Sequence, residues 1–191
     1  IIADGVTDNS SGLQLAIADA DSIPFASLCL PAGTIRFDTP LVFGNNPTRY
    51  SEISMIGHSE YTTKLVYGGP NTSTAIWIRH MSAFSWSHLS IEKANGSDFA
   101  QHGTSVGIQF DRAVDSLAGG TQNTGITFDH MLISGWFLGM LVGGSASASE
   151  IECRNVTFSY CHTGWQPLTF NSLNFWFYNL GLLNNEIGLK I

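Results

Sequence analysis

The sequence predicts an all-β chain wound as a coil of parallel strands, a β-helix, with a short helix capping its start. Three observations carry this. Strand-like segments led by glycine recur at Gly139, Gly164 and Gly188, 25 and 24 residues apart, a fitting length for one turn of such a coil. Further segments read apolar-x-apolar, the period-two signature of a half-buried strand. The composition is 43% hydrophobic and only 12% charged, with 20 glycines in 191 residues. About a quarter of residues are charged in an ordinary globular chain, so polar uncharged faces joined by tight corners fit better.

The elements follow in order. Ser10 or Ser11 can cap a helix, because a short oxygen side chain accepts the orphan N–H groups of the first turn. Leu13, Ala16, Ile17 and Ala20 then share one helical face. Asp19 and Asp21 oppose the dipole near the end and Pro24 follows, which predicts a short helix over 10–20. Its apolar face is expected to close the open end of the coil. One strand type comprises Ile76–Ile78 and the segments opening at Gly107, Gly139, Gly164 and Gly188. On it Trp77, Gln109, Leu141, Gln166 and Lys190 are expected outside and Trp165 inside, with Arg79 and Asp111 pairing between rungs. The other type comprises His88–Ile91, Gly125–Phe128, Asn155–Phe158 and Asn174–Phe177. Gly and Asn suit corners that need positive φ. Aligned in columns, Leu89/Ile91, Ile126/Phe128, Val156/Phe158 and Phe175/Phe177 stack inside. Ser90, Thr127, Thr157 and Trp176 lie outside, and beside them Glu92, Asp129, Ser159 and Tyr178. A β-sandwich of short strands competes, but it predicts turns every 8–12 residues or so and no recurring corner residues.

The opening carries a resemblance. Asp4-Gly5-Val6-Thr7-Asp8 leads into the helix, and Leu30-Pro31-Ala32-Gly33-Thr34 follows it. This resembles the pectate-lyase-like right-handed parallel β-helix superfamily, where an Asp-Gly-Val-Thr-Asp turn precedes a short helix and an apolar-Pro-Ala-Gly-Thr strand. The match is sharp over residues 3–43 and a loose repeat pattern from there to 191. It departs at Asn9, where the family usually has a second Asp. The resemblance implies a right-handed coil. It implies no single chemistry, since that fold carries lyases, hydrolases, epimerases and inert shafts.

Bulk properties narrow the partners. A net charge of −7 argues against nucleic acid and against an anionic membrane surface. No apolar run approaches the length of a bilayer-spanning helix, so no membrane insertion is expected. Cys29, Cys153 and Cys161 have no metal-like spacing and read as buried thiols. Residues 1–191 are expected to form the cap and first rungs of a single β-helix domain. Gly188–Ile191 reads as a fresh strand, so the coil is expected to continue past it.

No strong catalytic motif is present, and neither Asn-Thr-Asp nor Gly-His-Gly of the familiar β-helix pectinases occurs. The column alignment makes Glu92 and Asp129 the best carboxylate pair, neighbours on the outer face that raise one another's pKa so that one can serve as a general acid. Read blandly, they are solvated strand-end charges. Glu150, Glu152 and Arg154 form a second charged cluster, read as a solvated strand edge, and His130 adjoins Asp129. Trp77 and Trp176 are expected outside, where an indole is a platform for the apolar face of a sugar ring or a contact between copies of the chain. No metal and no cofactor is expected.

Three functions remain. The low charge, glycine corners and missing pectinase motifs look like bacteriophage tailspike or tail-fibre depolymerases, which implies a homotrimer in a virion tail that binds and cleaves a surface polysaccharide. A secreted, extracellular polysaccharide lyase or glycoside hydrolase is the second, and a non-catalytic virion shaft or adhesion module the third.

Overall fold

A computed structural model describes residues 1–45, 50–110, 122–142, 147–168 and 174–191. Asp111 lies outside the described residues, and so does its expected pairing with Arg79. The chain begins with β1 (Asp4–Asp8) and α1 (Ser10–Asp21), followed by β2 (Ser27–Cys29), β3 (Gly33–Phe37), β4 (Leu41–Phe43), β5 (Ser54–Ile56) and β6 (Thr63–Tyr67). Next come β7 (Thr74–Ile78), β8 (Ser82–Lys93), β9 (Val106–Phe110), β10 (Gln122–Ser134), β11 (Leu138–Val142) and β12 (Ser147–Ser159). The last are β13 (Thr163–Pro167), β14 (Phe175–Tyr178), β15 (Gly181–Leu183) and β16 (Ile187–Leu189). Every strand pairing is parallel: one sheet runs β1-β3-β6-β8-β10-β12-β14 with β2, β5 and β15 attached, and the other runs β4-β7-β9-β11-β13-β16. This is the parallel β-helix that the repeat predicts, and no sandwich.

The long strands β8, β10 and β12 each serve two faces of the coil. A left-handed residue bends each of them: His88 (φ 59°), His130 (φ 49°) and Asn155 (φ 52°), with Asn179 (φ 55°) repeating the corner between β14 and β15. Asn and His tolerate that region better than most L-residues. The extra residue shifts the alternation by one position. Phe128 points in, Asp129 out, and Met131 and Ile133 point in again. Each rung therefore contributes three inward columns. The first is Leu28, Met55, Trp86, Phe128, Cys153 and Phe177. The second is Ile35, Leu65, Ile91, Ile133, Phe158 and Leu182. The third is Leu41, Ile76, Ile108, Met140, Trp165 and Leu189.

The expected interior is met, but its columns are regrouped. Ile126, Phe128, Val156 and Phe158 are buried, and Phe175 and Phe177 are half-buried against the core. Ile126 and Phe128 stack with Phe175 and Phe177 through Ile151 and Cys153. Leu89 and Ile91 stack with Met131 and Ile133, hence with Val156 and Phe158. Both faces read apolar-x-apolar, so the sequence pattern does not separate them.

The cap behaves as its pattern predicts, with Leu13, Ile17 and Ala20 buried over the first rungs. Its N-terminus differs in detail. Asp8, rather than a serine, accepts the Ser10 N–H (2.9 Å), and Ser10 Oγ accepts the N–H groups of Asp38 (2.8 Å) and Thr39 (3.0 Å), tying helix to rung. The Ser10 hydroxyl, which donates to Asp8 Oδ1 (2.5 Å), and the Ser10 N–H together hold the Asp8 carboxyl below its ordinary pKa. The departure at Asn9 has a local reason. Its amide donates to the carbonyls of Ile2 and Thr7 (both 2.8 Å), which a carboxylate could not do.

Two of the three cysteines are buried as expected, while Cys29 is exposed. Burial pushes the Cys153 thiol up to about 12 and the Cys161 thiol up to about 11. At pH 8 a thiol reagent is expected to label one cysteine per folded chain promptly and all three after denaturation. Prompt labelling of Cys153 or Cys161, read by peptide mapping, would contradict that packing.

Candidate functional site

The outer face of the first column of strands carries a patch of polar and aromatic side chains. Across the rungs Ser85, Thr127, Glu152 and Trp176 are in register, and next to them Ser87, Asp129, Arg154 and Tyr178. Parallel strands lie about 4.8 Å apart, so residues tens of positions apart in sequence share one small patch. A cleft of about 430 Å³ opens here, lined by Thr127, Glu150, Glu152, Trp176 and Tyr178. Trp176 is 43% exposed and Tyr178 54%.

Hydrogen bonds and an ion pair link its polar groups. Thr124 Oγ1 donates to Glu150 Oε2 (2.8 Å) across the rungs. Arg154 Nη2 sits 2.7 Å from Glu152 Oε1, and its guanidinium lies 6.0 Å from the Tyr178 ring centroid. The hydrogen bond to Glu152 raises the Arg154 pKa above its ordinary value, with Asp129 adding to it. Asp129 Oδ1 accepts from Asn155 Nδ2 (3.2 Å), whose Oδ1 accepts from Asn179 Nδ2 (2.8 Å), an amide ladder up the corner. His130 Nδ1 stands 2.9 Å from Asp129 Oδ1, and the His130 ring stacks on His88 at 5.0 Å.

Past that corner, on the second face, a further groove of about 310 Å³ runs beside His130, Asn155 and Asn179. Glu60 and Tyr61 overhang it, Tyr61 being 73% exposed. The two openings flank the Asp129–Arg154 column.

Of the four residues singled out from sequence, the fold brings two to this place. Trp176 lines the cleft, and Asp129 lies in the next column. Glu92 does not join them. It pairs in register with Ser134, whereas Asp129 pairs with Ser87, five residues earlier on the same strand. That is about 16 Å of chain path at a rise of about 3.3 Å per residue. The expected adjacency of Glu92 and Asp129 is therefore corrected: they occupy different faces, because the left-handed corner at His88 and His130 stands between them. Glu92 instead accepts from Ser90 Oγ (2.6 Å) and pairs with Lys64 (3.3 Å). Trp77 is outward but on the other sheet, half-buried under the Arg79 guanidinium at 5.3 Å.

Glu150, Glu152 and Arg154, read from sequence as a solvated edge, turn out to line or border the cleft. The signal was present: Glu152 and Trp176 are 24 residues apart, one repeat. Glu60 and Tyr61 had no such signal, since they sit in a connection outside the repeat. Among the described residues no three His, Cys, Asp or Glu side chains are grouped to hold a metal ion. No helix among the described residues is long and apolar enough to cross a membrane.

No protein-family model matches the sequence, and no curated protein matches it. Solved structures do resemble the fold. ORF18 of Geobacillus virus E2 matches with a TM-score of 0.60 at 10% identity over 94% of this chain and 40% of its own. The A-module of the mannuronan C-5 epimerase AlgE4 from Azotobacter vinelandii matches with a TM-score of 0.50 at 15% identity over 96% of this chain and 48% of its own. The chain thus spans less than half the length of either neighbour, and at these identities the likeness is one of fold: the chain is a parallel β-helix of the same build.

Proposed function

We propose that this β-helix is the polysaccharide-binding part of a tailspike-like depolymerase, acting on a surface polysaccharide from a virion tail or outside a cell. The observation that carries the reading is the cleft at Trp176. An exposed indole and a phenol line a trough together with Thr127 and the carboxylates of Glu150 and Glu152, and the Arg154 guanidinium stands 2.7 Å from Glu152. An indole face covers the C–H face of a sugar ring, and carboxylates accept hydrogen bonds from its hydroxyls. That a virus protein and a mannuronan epimerase module share the fold is in keeping with this reading. Cleavage draws on the carboxylates of Asp129, Glu150 and Glu152, since glycosidases act through paired carboxyl groups. Glu92 and Trp77, on other faces, contact only a polymer that wraps around the coil.

Trp176→Ala is expected to weaken binding of a recognised polysaccharide at least tenfold, about 1.4 kcal/mol, measured by affinity electrophoresis or calorimetry. The variant is expected to keep its melting temperature, because the indole is already half in water. Unchanged affinity would remove the cleft as the binding site. A shaft without carbohydrate binding would then be the better reading.

A further inference from the structure

We infer that the glycan this face accepts carries no acidic groups: its sugars are neutral or amine-bearing, and uronates, sialic acids and sulfated sugars are refused. The inference rests on the polysaccharide reading above and names the substrate class for the same site.

The two openings that flank the Asp129–Arg154 column are negatively charged. Glu150 and Glu152 line the first, Glu60 overhangs the second, and Asp129 stands between them. Against four carboxylates the described lining and the column between offer one guanidinium, and it is committed to Glu152 at 2.7 Å. The remaining polar partners around the second groove, Asn155, Asn179, Thr157 and the Tyr61 hydroxyl, are uncharged, and His130 lies 2.9 Å from the Asp129 carboxylate. These groups suit hydroxyls and amides.

An acidic sugar entering this trough would meet like charge on both sides of the corner, and the one guanidinium among the described residues there already faces Glu152. A divalent ion could bridge ligand and protein carboxylates, but among the described residues no group of three ligating side chains is assembled to hold one. A sugar amine, by contrast, gains a carboxylate partner at Glu150, whose exposed side chain reaches into the cleft.

The test uses the labelled 191-residue chain on a glycan array that presents neutral, amino and acidic glycans of similar length. Wild type, Trp176→Ala and Glu150→Lys are compared in low-salt buffer, after circular dichroism shows all three folded. The expected result is Trp176-dependent signal confined to glycans without acidic groups, and at least a tenfold gain of acidic glycans by Glu150→Lys. Trp176-dependent binding that is strongest for acidic glycans overturns the inference and leaves the binding reading intact. So does a Glu150→Lys variant with unaltered preference. No Trp176-dependent signal on any glycan overturns the binding reading and this inference with it.

Discussion

Replacing Trp86 by alanine is expected to destabilise the fold by about 3–5 kcal/mol, the range for deleting a large aromatic side chain from a close-packed core. Trp86 is fully buried at the middle of the first inward column, between Met55 and Phe128. Its ring meets Phe43 at 4.8 Å, Phe84 at 5.5 Å and Phe128 at 5.8 Å, so it ties the first face to the opposite sheet. Its Nε1 donates to the Ile53 carbonyl (3.2 Å), which would be left without that bond inside the coil. In a solenoid each rung is held mainly by its neighbours, so the loss falls on the coupling between the rungs of β5, β8 and β10. Urea denaturation reads the total. Hydrogen exchange is expected to show the largest loss of protection in those three strands. Trp86→Phe keeps most of the packing and is expected to cost less than half as much. Equal costs for the two variants would mean that the hydrogen bond, not the ring volume, dominates at this position.

Trp86 also shows where the sequence stops being legible. The 24- and 25-residue spacing of Gly139, Gly164 and Gly188 reveals the repeat, and the opening turn with its Pro-Ala-Gly-Thr strand reveals the cap. Both signals are local or strictly periodic. Trp86 carries no such periodic signal, because it lies 42 residues before its partner Phe128, a longer interval than the later repeats. The corner residues are the deeper difficulty. A single left-handed His or Asn leaves an apolar-x-apolar pattern on each side of itself, so the two faces cannot be told apart by periodicity. That ambiguity moved Glu92 onto the face of Asp129. It also hid the fact that Glu152 and Arg154, already visible as a charged cluster, stand beside Trp176 and Tyr178. Glu60 and Tyr61 reach their groove through a connection whose path depends on tertiary packing alone.

Two glycine substitutions are expected to move stability in opposite directions. Gly107, Gly139, Gly164 and Gly188 form a ladder at the start of the strands of the second sheet. A Cβ at Gly139 would stand 2.5 Å from the Gly164 carbonyl oxygen, 2.9 Å from the Phe158 ring and 3.2 Å from Cys161 Sγ. The first of these is backbone of the next rung and cannot swing aside. At Gly107 and Gly164 the same contact recurs at 2.6 Å, so the whole column depends on a missing side chain to keep rungs at their hydrogen-bonding distance. Gly139→Ala is expected to cost about 1–3 kcal/mol, the range for overpacking a close-packed interior. Gly12 is the contrasting case. It lies in the first turns of α1, is exposed, and its nearest neighbour to a new Cβ is Ile1 Cδ1 at 3.6 Å, an ordinary contact. Gly12→Ala is expected to stabilise by about 0.5–1 kcal/mol, because alanine loses less backbone freedom than glycine on entering a helix. Thermal denaturation of the two variants against the parent chain decides both. A Gly139→Ala variant that melts with the parent would mean that neighbouring rungs can slide apart by several tenths of an ångström at little cost. The close stacking that places Asp129, Arg154 and Trp176 in one patch would then be softer than the register implies.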